Sequence, residues 1–224
     1  MGSPSSVPGP FCPRIKICGL RDPAQAAAVA RLGVDAIGVI GVQGSPRFVS
    51  PAQRAAIFAA VEAAAPACDG VLVVADPSDA QLEELHPQRG HRILQLHGQE
   101  SPARCSTLRR ALGCRIWKAL RIRSRADLEQ AEAYRSHVDA LLLDAFVADQ
   151  LGGTGHRIPL DWLVGWRSPL PWWLAGGINP ERVRGVLEQL APTGVDASSG
   201  VERGPADKDL TRVAALVAAV RTSV

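Results

Sequence analysis

From Arg14 onward, short runs of β-branched and apolar residues alternate with longer Ala-, Leu-, Arg- and Glu-rich stretches whose apolar positions recur at helical spacing. This is the pattern of βα units around a parallel sheet. The spacing predicts strands over residues 14–18, 36–40, 70–75, 92–97, 115–122, 140–144, 172–175 and 194–197. Helices are predicted to begin near Asp22, Pro51, Ser78, Ser101, Ser124, Pro159, Pro180 and Asp207, most of them residues that cap or open a helix. Eight units in 224 residues average about 28 each, close to the roughly 30 of a βα unit in a barrel of about 250 residues. A doubly wound open sheet is the competing architecture, but it takes fewer repeats and a Gly-rich turn after the first strand. The expected fold is α/β, a single-domain (β/α)8 TIM barrel over residues 14–224.

Composition narrows the class. Hydrophobic residues make up 46% and charged residues 21% of the chain, and no run approaches the ~18 apolar residues of a membrane helix. Lys+Arg (25) exceed Asp+Glu (22) by only three, the basic residues are scattered, and aromatics are 4%. Neither a nucleic-acid partner nor a membrane partner is expected from such a surface. The five cysteines, Cys12, Cys18, Cys68, Cys105 and Cys114, are odd in number and form no CxxC pair. No histidine sits at ligand spacing, so neither a disulfide framework nor a metal site is expected, and a reducing, cytoplasmic setting fits. The opening MGSPSSVPGP lacks the basic start and apolar stretch of a secretion signal, and residues 1–13 read as a disordered leader.

In a TIM barrel, chemistry sits where strands end at the C-terminal face, so the strand ends matter most. The first ends KICG, which places Lys16 and Cys18 on one face. A thiol there serves as a base or nucleophile, or simply as a small buried apolar group. The sixth strand, ALLLDA, is apolar until Asp144 at the rim. That carboxyl is a general acid or base, or else it caps the next loop or pairs with Lys16. AGGINP and DASSGVE follow the seventh and eighth strands and put Gly176, Gly177, Ser198, Ser199 and Gly200 where barrels commonly bind phosphate. Glycines admit an anion close to backbone N–H groups, and a short helix beyond Ser199 would aim its positive end there. Arg47, in GVQGSPRFVSP, has a guanidinium suited to a carboxylate, or is a solvated surface arginine. QLHG puts Gln95 and His97 on one face, His97 as a substrate contact or a hydrogen-bonded structural residue. The Gly-rich stretch 146–158 is a lid or a plain connection.

Taken together, KICG at 16–19, GSPRFVSP at 44–51, QLHG at 95–98, LLLDA at 141–145, GGTG at 152–155, LDW at 160–162, AGGINPERV at 175–183 and DASSGVE at 196–202 resemble the phosphoribosylanthranilate isomerases of tryptophan biosynthesis. The resemblance runs from Arg14 to Val220. It implies a (β/α)8 barrel that converts N-(5-phosphoribosyl)anthranilate to 1-(2-carboxyphenylamino)-1-deoxyribulose 5-phosphate, an Amadori rearrangement without cofactor or metal. It places the catalytic base on Cys18 and the catalytic acid on Asp144. It puts substrate contacts on Arg47 and Asp196, and the phosphate on Gly176–Gly177 and Ser198–Gly200, while His97 stays a substrate-contact candidate from its place at a strand end. It also favours a monomer over a homodimer.

The chain departs from the family pattern in three places. His156 and Arg157 follow GGTG in place of a Lys-Thr pair, VVADPS replaces a strand end with asparagine, and Val39 stands where an aromatic is common, which should widen the anthranilate pocket. Two rival readings remain. The sugar isomerase of histidine biosynthesis performs the same rearrangement on another aminoaldose, but carries an aspartate in place of Cys18. A non-catalytic phosphate-binding barrel would bind a product analogue without turnover.

Overall fold

In the computed structural model, which describes residues 12–145 and 157–222, eight parallel strands close into a barrel in chain order. They are β1 (Arg14–Cys18), β2 (Ala36–Ile40), β3 (Asp69–Val74), β4 (Ile93–Leu96), β5 (Arg115–Ile122), β6 (Ala140–Ala145), β7 (Trp172–Leu174) and β8 (Gly194–Ala197). Pairing of β1 with both β2 and β8 closes the ring, as the alternating sequence pattern requires.

The helices outside the ring are α1 (Pro23–Arg31), α2 (Pro51–Ala64), α3 (Pro102–Leu112), α4 (Leu160–Leu163), α5 (Pro180–Leu187) and α6 (Leu210–Arg221). Their starts follow the sequence. Asp22, Ser101 and Asn179 each accept a hydrogen bond from the N–H three residues on, at 2.7, 3.2 and 2.9 Å, with proline in the first helical turn. Gly113, at φ 62°, ends α3 in the left-handed conformation that glycine adopts without strain.

Three expected helices differ. The segment opened by Ser78 is a 3-10 turn over Asp79–Leu85, and the one opened by Ser124 is 3-10 over Arg125–Tyr134. In the latter, Asp127 turns back to accept from the N–H groups of Arg123 and Ser124 at 2.7 and 3.0 Å, which tightens the first turn. The helix expected at Asp207 begins only at Leu210. The chain first forms a two-stranded ribbon of β9 (Glu202–Gly204) and β10 (Asp207–Lys208), and Asp209 then caps α6.

The period-two alternation of the strands separates two cores. One face packs Ile15, Ile17, Ile37, Val39, Leu72, Leu141 and Leu143 against the helices; the other points into the barrel, where Ala36, Val71, Ile93, Trp117, Ala140, Leu142 and Trp173 fill the lumen. Val39 is fully buried on the outer side, so the expectation that it shapes the pocket is overturned: Gly38 and Ile40, its neighbours along β2, face inward instead. Residues 1–11, most of the expected leader, lie outside the described residues. Pro13 is placed, its carbonyl accepting from Arg221 Nη1 at 3.2 Å. Most of the 146–158 segment, including GGTG and His156, is likewise outside.

Candidate active site

At the C-terminal mouth the lumen gives way to a cavity that is partly open to solvent. Cys18, Arg47, His97, Asp144, Gly176, Gly177, Asp196, Ser198, Ser199 and Gly200 all line it, with Gln95 among the polar groups and Ile40, Val42 and Ile178 on apolar walls. Every site residue singled out from the sequence is therefore brought to one place, by five strand ends and the loop after β2.

Cys18 ends β1 and packs against Gly38 of β2, where an added Cβ would lie 2.7 Å from its sulfur. Only glycine there leaves room for the thiol. Burial pushes the Cys18 pKa up, and the positive charge of Lys16 is the largest influence opposing that rise. Lys16 itself is completely buried and donates to Asp196 Oδ2 at 2.8 Å. The sequence allowed Lys16 to pair with Asp144; instead its partner is Asp196, which lies directly opposite on β8. Burial raises the Asp196 pKa, outweighing the attraction of Lys16.

Asp144 ends its strand as expected, and its Oδ1 accepts from Ala145 N at 2.9 Å. Its Oδ2 lies 3.5 Å from His97 Nε2. Gln95 Nε2 sits 3.3 Å from His97 Nδ1; a hydrogen bond donated there by Gln95 leaves the imidazole proton on Nε2, facing Asp144. His97 is thus held by Gln95 on one side and faces the Asp144 carboxyl on the other without a hydrogen bond to it.

Arg47 is buried, and its Nε and Nη2 donate to the two oxygens of Glu202 at 2.9 and 2.6 Å. The guanidinium expected for a ligand carboxylate is thus gripped on one edge by the chain itself. Glu202 also accepts from the fully buried Lys208 at 2.5 Å, and Lys208 donates to Ser198 O at 3.2 Å. Burial opposes ionisation of Glu202, but Arg47 and Lys208 more than offset it and hold its pKa low. Neither Glu202 nor Lys208 was singled out from the sequence; the acid at the end of DASSGVE, behind an arginine-bearing loop, was the available signal.

The two glycine-bearing loops are braced from behind. Arg182 donates to the carbonyls of Gly176 and Gly177 at 3.0 and 3.3 Å, and Arg212 to that of Gly200 at 3.2 Å. Gly176 and Gly177 have φ of 86° and 64°, which only glycine adopts readily. A Cβ on Gly200 would run into the carbonyl of Ile178, so the loops approach one another at a residue without a side chain. With carbonyls tied back, the N–H groups of Gly177, Ser199 and Gly200 have no partner among the described residues. The helix expected beyond Ser199 is a single 3-10 turn, Ser199–Val201, too short to add up a dipole.

Fold and cavity together define a TIM-barrel protein with a small-molecule site at the C-terminal mouth. Residues 15–219 match the family model for N-(5'-phosphoribosyl)anthranilate (PRA) isomerase. A relative of that name from Synechococcus elongatus is 50% identical over 91% of this chain and 94% of its own. The phosphoribosyl anthranilate isomerase of Thermotoga maritima superposes with a TM-score of 0.83 at 26% identity, covering 94% of this chain and 99% of that one. A phosphoribosyl anthranilate isomerase solved with reduced 1-(o-carboxyphenylamino)-1-deoxyribulose 5-phosphate gives 0.81 at 26% identity over the same shares. The chain belongs to the N-(5'-phosphoribosyl)anthranilate isomerase family.

Proposed function

We propose that this chain catalyses the Amadori rearrangement of N-(5-phosphoribosyl)anthranilate to 1-(2-carboxyphenylamino)-1-deoxyribulose 5-phosphate in tryptophan biosynthesis, with Cys18 as general base and Asp144 as general acid. The observation that carries the residue assignment is the convergence of these two groups, from β1 and β6, on one cavity with two glycine loops. Asp144 in its acid form protonates the ribose ring oxygen, and the C1′–O bond opens to a Schiff base. The Cys18 thiolate removes the C2′ proton, and the enolamine tautomerises to the amino-ketone. Each proton transfer by a positioned group supplies ~10²–10⁴-fold, and holding both ends of the substrate adds orientation.

The phosphate rests on the N–H groups of Gly176, Gly177, Ser199 and Gly200 and the hydroxyl of Ser198. The free edge of Arg47 takes the anthranilate carboxylate, and Asp196 Oδ1, which lacks a partner, accepts from a sugar hydroxyl beside His97. The chemistry uses protons only, so neither cofactor nor metal enters it. The solved relative holding the reduced product is the matching ligand chemistry.

We further assign residues 14–224 to one catalytic barrel acting as a monomer, since Val164 and Leu210 are the exposed large hydrophobics among the described residues. Five free cysteines suit a reducing cytoplasm, and no described helix is long and apolar enough to cross a membrane. The test is the loss of phosphoribosylanthranilate fluorescence on adding purified protein without metal or cofactor. Rapid loss is expected. A well-folded protein that binds the reduced product without turnover would replace the enzyme with a ligand-binding barrel.

A further inference from the structure

Lys16 is a charged side chain with no exposure at all, placed at the centre of the barrel rather than at its rim. A buried ion pair is a weak stabiliser, because desolvating both charges offsets their attraction and an apolar pair of the same volume serves the core as well. The position of Lys16 gives it other work. It shares the inward face of β1 with Cys18, two residues on, near enough for its charge and a hydrogen bond to act on the thiol. Asp196 Oδ2 fixes the ammonium at 2.8 Å, and an ammonium has three donors, so the hydrogen bond to Asp196 leaves two for the neighbouring sulfur and the cavity.

We infer that Lys16 is a positioning residue for the base: held by Asp196, its ammonium supplies the counter-charge that favours the Cys18 thiolate against the burial around it. This rests on Cys18 being the base of the proposed reaction. The other elements around the sulfur do not supply the charge as directly. Asp196 of β8 disfavours the thiolate, and Lys208 and Arg47 are both engaged by Glu202. Asp144 and His97 occupy other strands of the cavity, facing each other. The inward residues of β2, β3 and β7, namely Gly38, Val73 and Ala175, carry no charge. Burial drives the thiol the wrong way for a base at neutral pH, and among the influences that oppose it Lys16 is the largest. The resting thiol loses its proton to solvent through the open mouth, and the thiolate becomes a thiol again on taking the C2′ proton. Lys16 stays an ammonium throughout, its own pKa lowered by burial but raised further by Asp196 and Cys18.

The experiment titrates the ultraviolet thiolate absorbance of Cys18, as the difference between each protein and its Cys18→Ser counterpart. In Lys16→Met the midpoint should rise by at least about one pH unit, the scale expected of one adjacent charge. Because that variant leaves Asp196 buried without a counter-charge, Lys16→Met/Asp196→Asn is titrated beside it and should also lie above the parent. Lys16→Arg should restore the midpoint. In the single variant Lys16→Met the base limb of the kcat profile should move with the midpoint while KM stays nearly constant. A midpoint unchanged in both Lys16→Met proteins would overturn the inference and leave Lys16 a packing residue. If the parent failed to turn over phosphoribosylanthranilate, the reaction would have to be reassigned, while the titration would still decide the part played by Lys16.

Discussion

At the N-terminal end of the barrel, Trp117 and Trp173 stack with ring centroids 4.6 Å apart and Arg14 lies 5.9 Å over the Trp173 ring, whereas at the C-terminal end the same lumen finishes in Cys18, Gln95, His97, Asp144 and Asp196 around open space. Polar groups at the bottom are paired: Asp69 meets Arg14, Arg92 and Arg115 at 3.4, 3.7 and 2.7 Å. Those arginines are about two-fifths exposed, so each pair adds little and loses that little in salt. Of the four buried side-chain atoms without a hydrogen bond among the described residues, three are at the mouth: Gln95 Oε1, His97 Nε2 and Asp196 Oδ1. Each such atom costs about 1–3 kcal/mol. The difference teaches that the bottom is built for stability, while the mouth gives up stability to keep atoms ready for a ligand.

Substitutions that act at one end only can break this division. The largest expected effect is at the mouth: Asp144→Asn should lower kcat by ~10²–10⁴-fold and remove the acid limb of the pH profile, with the melting temperature little changed. Unchanged kcat would reassign the protonation. At the bottom, Trp173→Ala should lose ~3–5 kcal/mol of stability in denaturant unfolding, with kcat per folded molecule nearly intact. A kcat loss as large as that of Asp144→Asn would show the two ends to be coupled.

His91 sharpens the comparison through pH. It lies just before β4, away from the cavity, 1% exposed, and burial holds its pKa down to about 4 against an ordinary 6.5. Between those values the unfolded chain binds the proton and the folded chain does not. The stability contributed above the ordinary value is therefore lost progressively as pH falls toward 4, up to about 3 kcal/mol. His91→Leu should flatten that part of the stability–pH curve while leaving the kcat profile alone; an equally steep curve would place the acid sensitivity elsewhere. The smallest effect is Glu202→Gln, which loosens the grip on Arg47 and should raise KM by about tenfold with kcat less affected. If kcat fell and KM held, Arg47 would act on the reacting atoms rather than on the substrate's carboxylate.

The barrel was legible because its units repeat and because period-two alternation separates lumen from outer core. That rule correctly set Cys18 beside Lys16 and Gln95 beside His97, and the apolar run ending in Asp144 marked the rim. The same rule applied to β2 would have turned Val39 outward, where it is found. Pairings between distant segments were not legible. Lys16 is joined to Asp196 across 180 positions and Arg47 to Glu202 across 155, distances over which only closure of the ring decides which charge meets which. Lys208 is not marked by an apolar pattern: its strand is two residues long, and its buried ammonium is paired with Glu202.

The central claim is that the mouth performs proton transfer with Cys18 as the base. It is tested most directly by measuring, on one preparation of Cys18→Ser, both turnover of phosphoribosylanthranilate and affinity for the reduced product. The account predicts a kcat lower by two or more orders of magnitude, about 10²–10⁴-fold, with affinity close to that of the parent. Near-parent turnover with the serine in place would contradict it.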